Sequence, residues 1–412
     1  MTSILSVLAA FGVILVDLSG RALLDKILAL VGTPAMVAMW AQLQSVVELV
    51  SGVTIAGVAQ GLTVLIAQAK DRNEQAAYLR AALKLGPLVS VTVALLFVLA
   101  LPFMADWVAH GKLDANLLVL AALIGCIAVI PGLMSAYWLG LHRQQRVLQF
   151  ALLGSVPLLL VALMAFRSMR IQELALVQCG TLLLVALPMG WFLHRNSLHA
   201  EDAAALRKLA HFMVAGLAIG IMSPASMLLV RGTLADELSW NDAGLMQALW
   251  RASEWVTTCA AGVLSLSFLP RLSAANGTRG FGHELRRAAL IVLLPSAILL
   301  GLIYVNQRAV LSLLYDARFA VSDQAVALFM LGSMLRVGSW VFLFALFAAR
   351  RTWLIGIGEV LSLPLFAWLL WRYAENMTLE RAALFYCISY LVYLLFNAGA
   401  VLYARPWRAG PR

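Results

Sequence analysis

The sequence predicts an all-α polytopic membrane protein that crosses the bilayer about twelve times. Of its 412 residues, 63% are apolar and only 12% are charged, whereas a soluble domain carries about 25% charged residues. Its mean hydropathy is +0.91. The chain consists of long apolar runs, and each run of about 20 residues suffices for one crossing. These observations exclude a soluble enzyme and leave no room for a separate extramembrane domain.

Polar clusters and Gly or Pro breaks divide the chain into its predicted spans in order. The first is interpreted as a retained helix rather than a cleaved signal, because no Lys or Arg precedes its apolar run and Asp17 and Arg21 follow within the same helical span. The predicted spans cover residues 4–31, 35–68, 79–107, 115–141, 147–166, 172–193, 209–231, 243–269, 285–305, 323–349, 352–371 and 381–404.

The connectors between the spans justify these divisions, because each contains polar, Gly or Pro residues that interrupt an apolar helix. The first six lie near residues 32–34, 69–78, 108–114, 142–146, 167–171 and 195–208. The remaining five lie near residues 232–242, 270–284, 306–322, 350–351 and 372–380.

The distribution of basic residues predicts the topology. Twelve spans place both termini on one side of the membrane. The connectors on that side, with the C-terminus, hold eighteen Lys and Arg residues, against eight in the opposite connectors. Because cytoplasmic loops retain Lys and Arg, both termini are predicted to be cytoplasmic. The net charge of +10 is therefore attributed to topology, and no nucleic-acid partner is expected.

A weak internal repeat predicts two halves. A shift of about 206 residues superposes Glu48 on Glu254 and Leu79-Arg80 on Leu285-Arg286. Six spans then fall in each half, and an even number makes the two repeats parallel. We therefore predict an N-terminal six-helix bundle over residues 1–197 and a C-terminal one over residues 198–412.

Charged side chains inside the predicted spans, with two glutamines beside them, identify the candidate site. A charge at the bilayer centre costs about 2.5–3.5 kcal/mol on insertion scales, so it normally faces a polar cavity or a partner. These residues occur in spans 1, 2, 7 and 8, the first two helices of each half. They are Asp17, Arg21, Asp25, Lys26, Gln44, Glu48, Arg231, Gln247, Arg251 and Glu254.

A structural role is the alternative for some of these charges. The pairs Asp17/Arg21 and Arg251/Glu254 could neutralise themselves and only fix helix packing. Arg336 and Glu359, in spans 10 and 11, are assigned structural roles, with pairing to each other as one option. The four cysteines are interpreted as small core residues, since each lies in an apolar run without a CxxC spacing.

Other chemistries lack sequence support. The chain contains no GxxxxGK[ST], HExxH or GxSxG motif, so nucleotide hydrolysis, zinc proteolysis and serine hydrolysis are not expected. A membrane-embedded polymerase would need a sizeable loop outside the lipid. The longest outward connector, residues 306–322, is short.

Several short motifs occur in a fixed order along the predicted spans. They lie at residues 26–29 (KILA), 32–35 (GTPA), 44, 67–68 (AQ), 239–244 (SWNDAG), 247, 269–273 (LPRLS), 335–338 (LRVG) and 359–360 (EV). With twelve spans in two parallel halves and a charged first helix, this order and spacing resembles that of the MOP (MATE-like) superfamily, specifically the Wzx-type flippases of lipid-linked oligosaccharides.

The resemblance implies two six-helix bundles around a central V-shaped cavity that opens alternately to either side. The implied substrate is an oligosaccharide on undecaprenyl diphosphate, of the O-antigen or enterobacterial common antigen type, moved from the cytoplasmic to the periplasmic leaflet of a bacterial inner membrane. The implied partners besides membrane lipids are a polysaccharide polymerase and a chain-length regulator.

The resemblance also suggests roles for the candidate residues. Its basic cavity residues correspond to Arg21, Lys26, Arg231 and Arg251, with Gln44 and Gln247 beside them as further substrate-binding candidates. No cofactor is expected. Because no motif for ATP hydrolysis is present, proton or sodium coupling stays open, with Asp17, Asp25, Glu48 and Glu254 as candidates. Asp17 and Asp25 flank Arg21 and would neutralise part of its charge.

Three alternatives remain at this stage. A cation-coupled multidrug antiporter of the same superfamily would need an acidic or aromatic pocket, whereas the intramembrane set includes four basic residues. A membrane-embedded polysaccharide polymerase or glycosyltransferase would incorporate sugar without two leaflets. A non-transporting scaffold would gain nothing from buried charge in four repeat-related helices.

Overall fold

The structure is a computed structural model that describes residues 4–109, 113–165, 170–197, 203–349, 351–404 and 406. Within these ranges the regular elements are all helical, which confirms the predicted fold class. They are α1 Ile4–Val31, α2 Pro34–Val53, π1 Thr54–Ala59, α3 Gln60–Gln68, α4 Arg72–Ala109, α5 Ala115–Gly140, α6 Gln144–Ala165, α7 Ile171–Asn196, α8 Ala203–Glu237, α9 Trp240–Val263, π2 Leu264–Phe268, α10 Leu269–Ala275, α11 Gly280–Val305, α12 Gln307–Leu314, α13 Asp323–Ala348, α14 Thr352–Val360, α15 Leu363–Arg372 and α16 Leu379–Ala404.

Each predicted span corresponds to a helix or to a run of consecutive helices. The second span is formed by α2, π1 and α3 without a break, and the eighth by α9, π2 and α10. The eleventh is interrupted between α14 and α15, just before Pro364. Proline has no N–H to donate, and its ring clashes with the carbonyl four residues earlier, so it favours a kink or break at this point. Pro364 occupies the first turn of α15, where the missing N–H costs nothing.

One helix was not predicted. The short α12 (Gln307–Leu314) lies in the connector after α11. Eight residues rise only about 12 Å, far less than the hydrocarbon thickness of about 30 Å. A search for membrane-spanning runs therefore passes over it.

Length and composition agree with a multi-pass membrane protein. Among the residues that could be searched, nine helices are long and apolar enough to cross a bilayer. Large apolar side chains are fully exposed along several of them, such as Leu99 at 70% and Leu184 at 73%. Such exposure is ordinary where lipid, rather than water, covers the surface.

The second helix of each half begins in a similar way. Thr33 has an extended backbone, and Pro34 occupies the first turn of α2, where its missing N–H costs nothing. Ser239 is also extended, and its hydroxyl accepts a hydrogen bond from the backbone N–H of Asp242 in the first turn of α9. The starts of α2 and α9 are 206 positions apart, the same shift that superposes Glu48 on Glu254.

Packing divides the chain into two compact units, Met1–Gly232 and Thr233–Arg412. Most of α8 therefore lies with the first unit, where it packs antiparallel along α2, π1 and α3. Near one end, the Gln42 side chain donates a hydrogen bond to the Leu228 carbonyl at 3.0 Å. Near the other, Gly61 lies against the ring of Phe212. The boundary that the sequence predicted, between residues 197 and 198, separates the two repeats and is not based on packing. It stays a prediction.

The two π-helical segments lie in the apolar cores of their units. Val58 of π1 packs in one cluster with Leu62 and Leu133, and Leu264 and Phe268 of π2 belong to the corresponding cluster of the second unit. A π-helical turn accommodates an extra residue and is frequent at functional sites. The two segments start 210 positions apart, within about one turn of the 206-residue shift.

We expect Gly52 to be intolerant of any side chain, because α2 and α8 make backbone contact there. A Cβ at Gly52 would lie 2.7 Å from the Gly220 carbonyl oxygen, and a Cβ at Gly220 would lie 2.6 Å from the Gly52 carbonyl carbon. The variant Gly52→Val should lose about 1–3 kcal/mol of stability through overpacking, measured as a lower thermal unfolding temperature in detergent. Gly180→Ala is the control, because no heavy atom lies within 4 Å of a Cβ at that position. Equal unfolding temperatures for Gly52→Val and wild type would contradict this close contact.

Candidate functional site

An ion pair in the first unit lies deep within two predicted spans. The Arg21 Nη1 of α1 is 3.1 Å from the Glu48 Oε1 of α2, and the two side chains are 37% and 51% exposed. Arg21 precedes the end of α1 by ten residues, which corresponds to about 15 Å, or half the hydrocarbon thickness. At that depth we expect an exposed charged pair to face a polar space rather than lipid.

A pair of amides extends this polar surface to α7. The Gln44 side chain donates to the Gln178 Oε1 at 3.0 Å, and the Gln178 amide donates back to the Gln44 Oε1 at 3.2 Å. Gln44 precedes Glu48 by one helical turn, so both lie on the same face of α2. Gln178 was missed from the sequence, although an amide in the middle of an apolar span was a signal that could have identified it.

Arg231 occupies a different position, in the contact between α8 and α2. Its side chain is buried, and its Nη1 donates to the Ser45 hydroxyl at 2.8 Å and lies 3.4 Å from the Gln42 Oε1. These bonds help to hold α8 against α2. Head-group binding by Arg231 stays a prediction, and it would require this contact to open.

The other predicted residues of α1 are placed less directly. Asp25 is buried and Lys26 is half-buried, and both have interactions with other residues. The side chain of Asp17 lies outside the described residues. The pairing of Arg21 with Glu48 joins two helices, whereas the sequence suggested a pair of Arg21 with Asp17 within α1.

The second unit contains an ion pair on α9. Arg251 and Glu254, one turn apart, are joined by a hydrogen bond between Nη1 and Oε2, with side chains 12% and 23% exposed. Gln247, one turn earlier, is buried. Glu254 corresponds to Glu48 under the 206-residue shift, so both repeat-related glutamates are paired with arginine.

Aromatic rings surround a further cation of the second unit. The guanidinium carbon of Arg336 lies 4.7 Å from the ring centre of Trp340, 5.2 Å from that of Trp250 and 5.7 Å from that of Tyr390. Each such contact is worth about 0.5–2 kcal/mol, depending on desolvation. Trp250 directly precedes Arg251, so this aromatic cluster adjoins the ion pair of α9.

The pairing of Arg336 with Glu359 that the sequence suggested was wrong. Glu359 instead accepts a hydrogen bond from the Tyr393 hydroxyl at 2.9 Å, and no carboxylate of the described part of the chain forms an ion pair with Arg336. The physical reason is that α16 supplies Tyr390 to Arg336 and Tyr393 to Glu359. Local sequence spacing cannot predict contacts with side chains of a helix that is distant in the sequence.

The arrangement favours binding and exchange of charge over bond-breaking chemistry. Guanidinium groups can grip phosphate oxygens through two parallel hydrogen bonds, and the paired carboxylates can act as internal counter-ions. Across the searched residues, no group of three His, Cys, Asp or Glu side chains could hold a metal ion. The four cysteines are free thiols in buried or half-buried positions.

We expect Glu48 to be reachable from water while the lipid-facing surface is not. In a background with all four cysteines replaced, Glu48→Cys in native membranes should react with a charged, membrane-impermeant thiosulfonate reagent. Leu95→Cys is the control, because Leu95 is 59% exposed on α4 but lies on an apolar surface. Equal labelling of both thiols, or none at Glu48→Cys with reagent on both sides of the membrane, would contradict a hydrated path.

Comparison with known proteins agrees with these features. No protein-family profile matches the chain. The Lipid III flippase of Escherichia coli (strain K12) is 23% identical over 400 residues, covering 94% of this chain and 95% of the relative. The Lipid III flippase of Shigella flexneri matches to the same extent.

Solved structures show the same fold. An inward-facing multidrug resistance MATE family transporter of the MOP superfamily gives a TM-score of 0.73 at 12% identity, covering 94% of each chain. The Lipid II flippase MurJ in an inward closed conformation gives 0.69 at 14% identity, covering 97% of this chain and 88% of that one. The resemblance indicated by the sequence motifs is thereby confirmed: this chain has the fold of MATE-like transporters of the MOP superfamily and resembles the Lipid III flippases along nearly its whole length.

Proposed function

We propose that this multi-pass membrane protein is a flippase for an oligosaccharide carried on undecaprenyl diphosphate, of the O-antigen or enterobacterial common antigen type. It moves this substrate from the cytoplasmic to the periplasmic leaflet of a bacterial inner membrane by alternating access, with both termini in the cytoplasm. The observation that carries the proposal is the exposed Arg21–Glu48 pair at mid-membrane depth. The similar curated relatives are Lipid III flippases, and one structural relative is a Lipid II flippase.

Physical chemistry explains why such a substrate needs this kind of path. A diphosphate and several sugars cannot leave water for about 30 Å of hydrocarbon without large desolvation costs. The prenyl tail is already soluble in lipid and needs no help. A protein therefore has to offer only a polar surface along which the head group can move.

Exchange of partners at Arg21 supplies the binding step. The Arg21–Glu48 pair is about half exposed, and pairs of this kind contribute about 0–1 kcal/mol. A hydrogen bond to a charged group contributes about 1.5–3 kcal/mol, and a diphosphate can accept two from one guanidinium. The diphosphate therefore displaces the Glu48 carboxylate. Gln44 and Gln178 next to this pair are placed to hydrogen-bond the sugar or phosphate oxygens.

The second unit supplies a corresponding element. Arg251 is paired with Glu254 on α9 in the same way, although this pair is less exposed. Arg251 is the head-group contact of this unit in the proposal, and Glu254 is its internal counter-ion. The same proposal includes Lys26, Arg231 and Gln247 as further substrate contacts.

Glu48 and Glu254 are also the proposed coupling groups. A carboxylate that loses its arginine to the substrate can take a proton or a sodium ion, which links head-group binding to an ion gradient. Asp17 and Asp25 belong to the same proposal. A polysaccharide polymerase and a chain-length regulator are the proposed partners on the product side.

Removing Arg21 should weaken binding of the head group. We expect Arg21→Ala and Arg251→Ala to lower affinity for a water-soluble short-chain prenyl diphosphate sugar at least fivefold, or about 1 kcal/mol, measured by calorimetry on purified protein. Arg170→Ala is the control, because Arg170 is 79% exposed and pairs with Glu173 at the start of α7. Unchanged affinity in both variants would contradict the proposal. Stronger binding of organic cations than of the diphosphate by wild type would favour a multidrug antiporter, and sugar polymerisation by the protein in detergent would favour a polymerase.

Neutralising Glu48 should strengthen binding of the head group. Glu48→Gln removes the carboxylate that pairs with Arg21, so the guanidinium no longer has to give up a charged partner before it binds the diphosphate. We expect Glu48→Gln to bind the short-chain prenyl diphosphate sugar more tightly than wild type. The measurement is the same calorimetric titration at neutral pH, with Arg170→Ala as the control. Equal affinities for Glu48→Gln and wild type would contradict a counter-ion role.

A further inference from the structure

A concave groove lies on the surface of the first unit between α5 and α7. It has a volume of about 500 Å³, and its walls are almost entirely apolar. Ile130 of α5 and Leu183 and Leu187 of α7 form its sides, and Trp191 and His194 of α7 close one end. None of these residues belongs to the candidate site described above. The groove therefore calls for a separate explanation.

The floor of the groove is open because Gly190 has no side chain. A Cβ at this position would meet only the Ile130 Cγ2, at 3.6 Å, which is an ordinary contact. No close backbone approach therefore requires the glycine, although glycine is less favourable than alanine inside a helix. Its effect on the structure is to leave space between α5 and α7.

The length of the groove matches one leaflet. Its lining on α7 extends from Leu183 to His194, a rise of about 16 Å. This is about half of the hydrocarbon thickness of about 30 Å. A chain lying in the groove would reach from the middle of the membrane to the interface at the end of α7.

An arginine lies beside that end of the groove, and two more lie across α7 from it. The Arg195 guanidinium lies 5.5 Å from the ring centre of Trp191, which lines the groove. On the other side of α7, Arg143 and Arg146 lie 5.9 and 5.8 Å from the ring centre of Trp138, which stacks on Phe192 at 5.8 Å. Within the described chain, none of these three arginines forms an ion pair with a carboxylate. Aromatic faces hold them while their N–H donors stay available.

We propose that this groove binds one acyl chain of an anionic phospholipid, whose phosphate lies against Arg195 and His194. An apolar channel one leaflet long supplies the place for the chain, and the Arg195 guanidinium beside Trp191 supplies the complementary charge. Basic pockets between membrane helices bind the head groups of anionic lipids. Bound lipid fills the space between α5 and α7 and fixes their ends at the interface.

Retention of lipid by the full-length protein tests the proposal. Native mass spectrometry with phosphatidylglycerol and phosphatidylcholine of identical chains should show one tightly bound phosphatidylglycerol and a weaker phosphatidylcholine. Gly190→Phe, which fills the groove, should lower the affinity for phosphatidylglycerol at least tenfold. Gly190→Ala should keep wild-type affinity. The matched control is Leu184→Phe, which adds the same ring on an exposed part of α7 that does not line the groove.

A second variant separates lipid binding from folding. Arg195→Gln alters an exposed side chain and should reduce the preference for phosphatidylglycerol over phosphatidylcholine about fivefold without changing the unfolding temperature in detergent. Equal affinity for the two lipids in wild type, or wild-type binding by both Gly190→Phe and Arg195→Gln, would overturn the proposal. Competition with undecaprenyl phosphate is the remaining test. If it displaces phosphatidylglycerol from wild type at equal or lower concentration, the groove binds the substrate's tail and the phospholipid assignment is wrong.

Discussion

The constraint on which this structure depends is that a charge within the membrane must face water or a partner. An isolated charge at the bilayer centre costs several kcal/mol, so each ionisable group in a span needs water or a compensating contact. Three different arrangements of such groups occur in this protein. Arg21 and Glu48 form an ion pair whose side chains are partly exposed, Arg336 lies among aromatic rings, and Glu359 accepts a hydrogen bond from a tyrosine. Of these three, the Arg21–Glu48 pair is the one whose partners are exposed enough to be exchanged for a substrate, so the proposed function rests on it.

Composition and hydropathy were sufficient to predict the helices. The apolar runs are long, the connectors are polar, and each predicted span corresponds to helical structure. The interruption before Pro364 and the short α12 were not predicted, for opposite reasons. The first leaves the hydropathy of its span unchanged, and the second is too short to register as a span. Both features depend on local backbone geometry, which average hydropathy does not record.

The sequence was sufficient to identify the charged residues of the candidate site but not most of the partners with which they interact. A charge in an apolar run is visible in the sequence, so Arg21, Glu48, Arg251 and Glu254 could be selected. Their partners were visible only within one helix, as for Arg251 and Glu254. The pairing of Arg21 with Glu48, 27 residues away, and the burial of Arg231 against Ser45, 186 residues away, depend on how helices pack. Local spacing contains no information about those contacts.

Under the proposed function, a carrier of an anionic head group also has to return empty, and the internal glutamates address that requirement. An arginine left alone at mid-membrane would be stabilised only by water, and closing the path around it would cost several kcal/mol. When Glu48 re-forms its pair with Arg21, the empty site has no net charge from these two residues. A bound diphosphate brings more negative charge than Arg21 alone balances, so in this proposal the released carboxylate also takes up a proton or a sodium ion. Because the internal pair is weak, it yields to the substrate when one is present.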